Sequence, residues 1–60
     1  MKKYMLIMKG EDGEAAYFTD DYQKAMQTKM DAECGMGEYT ELYERVTDEE
    51  AGERYEFLLS

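Results

Sequence analysis

The sequence predicts a small α+β domain of order β-β-α-β-β, a four-stranded mixed or antiparallel sheet with one helix packed on one face. Three observations predict it. One run, residues 20–35, has helical spacing; four flanking runs have strand character; and glycine-bearing polar turns punctuate them. At 60 residues the chain is a single domain, 1–60.

Residues 3–9 read as a strand, because Tyr4, Met5, Leu6, Ile7 and Met8 are apolar without alternation. Gly10-Glu11-Asp12-Gly13 reads as a hairpin turn, Asp-Gly between apolar runs being a strong cue. Residues 15–19 return as the second strand, with Ala16 and Phe18 on one face and Ala15 and Tyr17 on the other. The helix over 20–35 is expected to start from a capping box of Asp20 and Gln23 and to end at a left-handed Gly35. Its apolar stripe is Tyr22, Met26, Met30 and Cys34 with Ala25 beside them, opposite a wet face of Gln23, Lys24, Gln27, Thr28 and Asp31. Residues 38–47 alternate as a strand, Thr40, Leu42, Glu44 and Val46 on one face and Tyr39, Glu41, Tyr43 and Arg45 on the other. Its three glutamates blunt it as an edge strand. A polar loop over 48–52 leads to the last strand, 54–60, where Tyr55, Phe57 and Leu59 oppose Glu56 and Leu58.

Apolarity places the first and last strands in the middle, for a strand order of 2-1-4-3 with a parallel central pair. One helix covers one side only. Tyr17, Tyr39, Tyr43 and Leu58 are expected on the other, with either Met5 and Ile7 or Tyr4, Leu6 and Met8. So apolar a face is a contact surface.

The absences restrict the function. There is no histidine, tryptophan, asparagine or proline, and the one serine is the last residue. Nucleophilic triads lack their usual base, and a 60-residue layered sheet rarely encloses the dry pocket that paired carboxylates such as Glu41 with Glu44 or Glu56 need for acid–base work. No glycine pattern cradles phosphate, and neither acidic loop has EF-hand spacing. The chain is therefore read as non-enzymatic, without catalytic residues, metal or cofactor. Cys34, the lone cysteine, is read as a small core residue in a reducing compartment. With no export signal and no run near the ~20 residues of a membrane span, the expected place is cytoplasmic.

Charge says more. Fifteen acids against seven bases give a net −8. Lys2, Lys3 and Lys9 stand in the first nine residues without an acid, so residues 10–60 carry −11. Nucleic acid and anionic membrane are poor partners for such a surface, and a basic protein is a good one. The acids concentrate at Glu38, Glu41, Glu44, Asp48, Glu49, Glu50, Glu53 and Glu56, interleaved with Tyr39, Tyr43 and Tyr55 and opposed by Arg45 and Arg54 alone. Residues two apart on a strand are about 6.6 Å apart on one face, broadly the spacing of nucleic-acid phosphates. Carboxylates so held imitate a phosphate track, and tyrosines beside them supply interface anchors. The bland alternative is that acids on an edge strand and loop only keep a small protein dispersed.

In size, charge and lack of catalytic groups the chain is similar to phage-encoded inhibitors of bacterial defence, anti-CRISPR and anti-restriction proteins among them. Several of these look like DNA to the nuclease complex they block. The likeness implies an inhibitor of a basic, nucleic-acid-binding partner, and the acid–tyrosine cluster supplies the expected contact residues: Glu38, Tyr39, Glu41, Tyr43, Glu44, Asp48, Glu49, Glu50, Glu53 and Glu56. The competing expectation is a homodimeric accessory protein whose second sheet face is buried on its own copy. Direct stacking of nucleic acid on sheet aromatics ranks last, against the −8 charge.

Overall fold

Side-chain alternation along four runs builds one sheet from β1 (Tyr4–Gly10), β2 (Gly13–Thr19), β3 (Tyr39–Asp48) and β4 (Gly52–Leu59). Between β2 and β3 runs α1 (Tyr22–Met30), continued by a π-helical turn, Asp31–Gly35. The computed structural model describes residues 2–35, 37–50 and 52–59; Ala51 of the polar loop and the expected strand end at Ser60 lie outside them.

The sheet is antiparallel throughout, in the order β2-β1-β3-β4. The α+β class and the β-β-α-β-β order match the sequence reading; the strand order and the parallel central pair do not. β3, expected at an edge, lies beside β1, and β4 forms the edge. Two tight hairpins keep β2 on β1 and β4 on β3, and the helix crosses over β1 to join β2 with β3, which run parallel two places apart. Apolarity misranked β3 and β4 because the apolar residues of β4 serve an exposed strand: Phe57 and Leu58 are exposed.

The core is small. Leu6 and Leu42 pair directly across β1 and β3, both with no exposed surface, and Tyr4 and Ala25 complete the buried cluster. Met8, Tyr17, Met26 and Leu59 pack around it. Tyr17 therefore faces the helix, not the open side as expected. In β4 the register slips between Leu42 and Tyr43, so that Leu42 pairs with Leu59 and Tyr43 with Phe57. This bulge leaves Leu58 as an extra residue and turns Leu59 to the face opposite Phe57.

The helix starts one residue later than expected. Asp21 is its N-cap, its side chain accepting from the Gln23 and Lys24 backbone N–H groups. Asp20 instead turns back to the start of β1, accepting from the Lys3 N–H at 2.9 Å and pairing with Lys2 at 3.4 Å. The left-handed residue is Gly37 (φ +65°), not Gly35, because the π-turn carries the helix through Gly35.

The buried side of the helix is not the expected stripe. Ala25 and Met26 meet the core as expected, but Lys29 and Ala32 share the sheet-facing side with them, while Tyr22, Met30 and Cys34 are exposed. At about 100° per residue, this buried arc is centred roughly a quarter-turn from the stripe of large residues. Alanines at the contact let the helix backbone approach the sheet, leaving the larger side chains to the flanks, where the Tyr22 ring packs at a tilt against Tyr4, 5.4 Å between centroids. Lys29 reaches out along its stem: its Nζ donates to Glu33 Oε2 at 2.7 Å, and the buried Thr40 hydroxyl donates to the same oxygen at 2.7 Å.

Candidate interaction surfaces

Antiparallel parity assigns every strand side chain to one of two faces. Tyr4, Leu6, Tyr17, Thr40 and Leu42 meet the helix, so Met5, Ile7, Phe18, Tyr43 and Phe57 point to the uncovered side. Phe18, Met5, Tyr43 and Phe57 align in one register row, an apolar belt across all four strands. Tyr43 and Phe57 meet edge-on at 5.8 Å. At one end of this face Tyr55 packs on Phe18 at 6.1 Å, and its hydroxyl donates to the Lys2 carbonyl at 2.6 Å. At the other end Lys9 lies 5.9 Å over the Tyr39 ring and 3.2 Å from Glu41.

Glu41 organises this polar corner. Its hydrogen bond and charge hold the Lys9 ammonium above the ordinary lysine value. Burial, then the same carboxylate, push the Tyr43 hydroxyl up; that hydroxyl donates to Glu41 at 3.4 Å. Opposite, at the β1 N-terminus, the Lys3 N–H first and the Lys2 ammonium second hold the Asp20 carboxyl low.

The second surface is a ribbon. β1 pairs with β3 as far as Glu44, and the Arg45 N–H still donates to the Lys3 carbonyl at 2.7 Å. Beyond that point β3 and β4 continue as a two-stranded arm from Val46 and Arg54 to the Asp48–Gly52 closure, in a molecule 39 Å long and 16 Å thick. Its loop is fixed by the Asp48 side chain accepting from the Glu50 N–H at 2.8 Å and by Gly52 at φ +79°, a conformation that favours glycine. The arm carries Asp48, Glu49, Glu50 and Glu53. Arg54 bridges its base, 3.7 Å from Asp48 and paired with Glu56. Glu44 and Glu56 stand directly opposite each other, like charges in register.

The sequence-predicted site residues are thus divided. Glu44, Asp48, Glu49, Glu50, Glu53 and Glu56 gather on the arm and its base; Tyr39, Glu41 and Tyr43 lie on the uncovered sheet face. Glu38 sits against Gly10, beside an open cleft of about 470 Å³ that Glu11, Asp12 and Glu14 also line. No single carboxylate track results, because Glu41 and Glu44 take opposite faces. Phe18, Phe57 and the Lys29–Glu33–Thr40 network were not singled out. Parity would have placed Phe18 on the open face once Leu6 was set against the helix, and Lys29 and Glu33 have i,i+4 spacing.

Among the described residues no group of three His, Cys, Asp or Glu is placed to hold a metal ion. Nor, among them, is any helix long and apolar enough to cross a membrane. Comparison with protein-family models, curated proteins and solved structures finds no match.

Proposed function

We propose that this protein is a non-enzymatic binding module that occupies a basic, nucleic-acid-binding surface of a protein partner, its acidic β3–β4 arm entering the groove. One observation carries the reading: the arm extends past the four-stranded sheet with Asp48, Glu49, Glu50 and Glu53 at its end and Arg54 at its base. Carboxylates on such an arm reach a groove that the body of the domain cannot enter, and the strand ladder holds them there at little further entropy cost. The contact set is narrower than the run of residues 38–56, since the divided faces leave Tyr39 and Tyr43 away from the arm. A nuclease complex that handles DNA or RNA is the partner class that matches this chemistry, as in inhibitors of bacterial defence. The test is capture from a nuclease-treated host lysate. A basic nucleic-acid-binding protein, released by salt and competed off by DNA or RNA, is the expected result; captured proteins that neither salt nor nucleic acid displaces would refute the reading.

A further inference from the structure

The arm leaves the uncovered sheet face unused. Phe18, Tyr39 and Phe57 are each about half exposed there, at 48%, 57% and 56%. Their chemistry differs from that of the rest of the molecule. The chain is strongly acidic, yet this face pairs its charges: Glu41 and Arg45 stand on β3 two residues either side of Tyr43, with Lys9 beside Glu41. Arg45 is half-buried and close enough to Asp20 to help lower its carboxyl.

We propose that this face binds a second copy of the chain, sheet on sheet, about a two-fold axis that lies in the interface along the apolar belt. The arrangement follows from the register. Rotation about the row Phe18–Met5–Tyr43–Phe57 lays each belt residue on its own counterpart and reverses the strand direction. Arg45, two residues on one side of the axis, then faces Glu41 of the second copy, and Glu41 faces Arg45 of the second copy. Ile7 meets the row that holds Lys3. Opposite charges flanking an apolar row are self-complementary about such a two-fold, as an isologous contact needs, and each Glu41 meets the second copy's Arg45 while keeping its own Lys9. A partner of uniform charge would leave one of the two opposed.

The area reaches the threshold of a weak, reversible dimer. Four strands about 4.8 Å apart and four outward rows about 6.6 Å apart make a face of roughly 500 Å². Two such faces remove about 1,000 Å² from water, the lower bound for a specific interface. Packing at the usual sheet-on-sheet angle of about 30° keeps the belts in contact and leaves the two acidic arms at opposite ends of the pair. The inference is independent of the partner assigned to the arm.

Sedimentation equilibrium across the micromolar range, with circular dichroism as a check on folding, tests it. The wild type is expected to dimerise. Arg45→Glu and Glu41→Arg each set like charges against one another at the contact, and each is expected to raise the dissociation constant by about tenfold or more. An equimolar mixture of the two variants restores opposite charges across the axis and is expected to form a heterodimer. If Glu41→Arg disturbs folding through Lys9, Phe18→Ser with Phe57→Ser tests the belt with exposed residues only and is expected to yield monomer. A monomeric wild type, or variants that dimerise as well as the wild type, would overturn the proposal.

Discussion

Leu6 and Leu42 are the only large apolar side chains among the described residues with no exposed surface at all. Truncating either to alanine removes about 2–5 kcal/mol. A domain of this size has roughly 3–9 kcal/mol in total, so Leu42→Ala is expected to remove a large share of the stability and to lower the urea midpoint sharply, read by circular dichroism. The Glu33 carboxylate is a second single-residue test. The Lys29 ammonium first and the Thr40 hydroxyl second hold it below the ordinary glutamate value. A group depressed in the folded state contributes stability above its unfolded value, near 4.5, and loses that contribution as the pH falls through the folded value. Glu33→Gln is therefore expected to lower the Tm at pH 7 and to converge with the wild type in strong acid. A gap that stays constant with pH would contradict this role. Cys34 is exposed, and Cys34→Ser is expected to leave stability within about 0.5 kcal/mol.

The helix depends on its cap at Asp21, whose carboxylate accepts two backbone N–H groups; Asp21→Ala is expected to cost about 1 kcal/mol, measured by urea unfolding. Asp20→Ala should leave the helix start intact and loosen the β1 N-terminus instead. These neighbours show how far the sequence could be read. An unbroken apolar run at residues 4–8, alternation in the later strands, helical spacing over 20–35 and turn glycines identified all four strands and the helix, because these are local properties of the chain. Which aspartate caps was not local: Asp20 is drawn to the Lys3 N–H, seventeen residues away. The helix face was misread for the same reason. Met30 and Cys34 fit a stripe, but contact with the sheet favours the small Ala25 and Ala32, and a buried Lys29 is acceptable only because Glu33, whose carboxylate also accepts from Thr40, meets its end. The expected and observed strand orders keep the same two hairpins; which strand of the second hairpin lies beside β1 is decided by the long-range pairing of Leu6 with Leu42, which hydrophobic content along the chain does not encode.

At the scale of the molecule the account rests on two surfaces of opposite character, a charge-balanced aromatic sheet face and an acidic arm. The acid cluster was legible in the sequence, and so was the split of Glu44 from Tyr39, Glu41 and Tyr43 by alternation; the arm was not, since it depends on where β1 stops pairing with β3, a property of two distant segments. A net −8 on a small body repels itself, most directly where Glu44 faces Glu56. Added salt should raise the Tm while weakening partner binding, and the two responses separate folding from recognition. The most direct measurement is the affinity of the captured partner for the wild type and for the arm-neutralised variant Asp48→Asn, Glu49→Gln, Glu50→Gln, Glu53→Gln. The account predicts a loss of at least about tenfold with folding unchanged, and equal affinity for the two would contradict it.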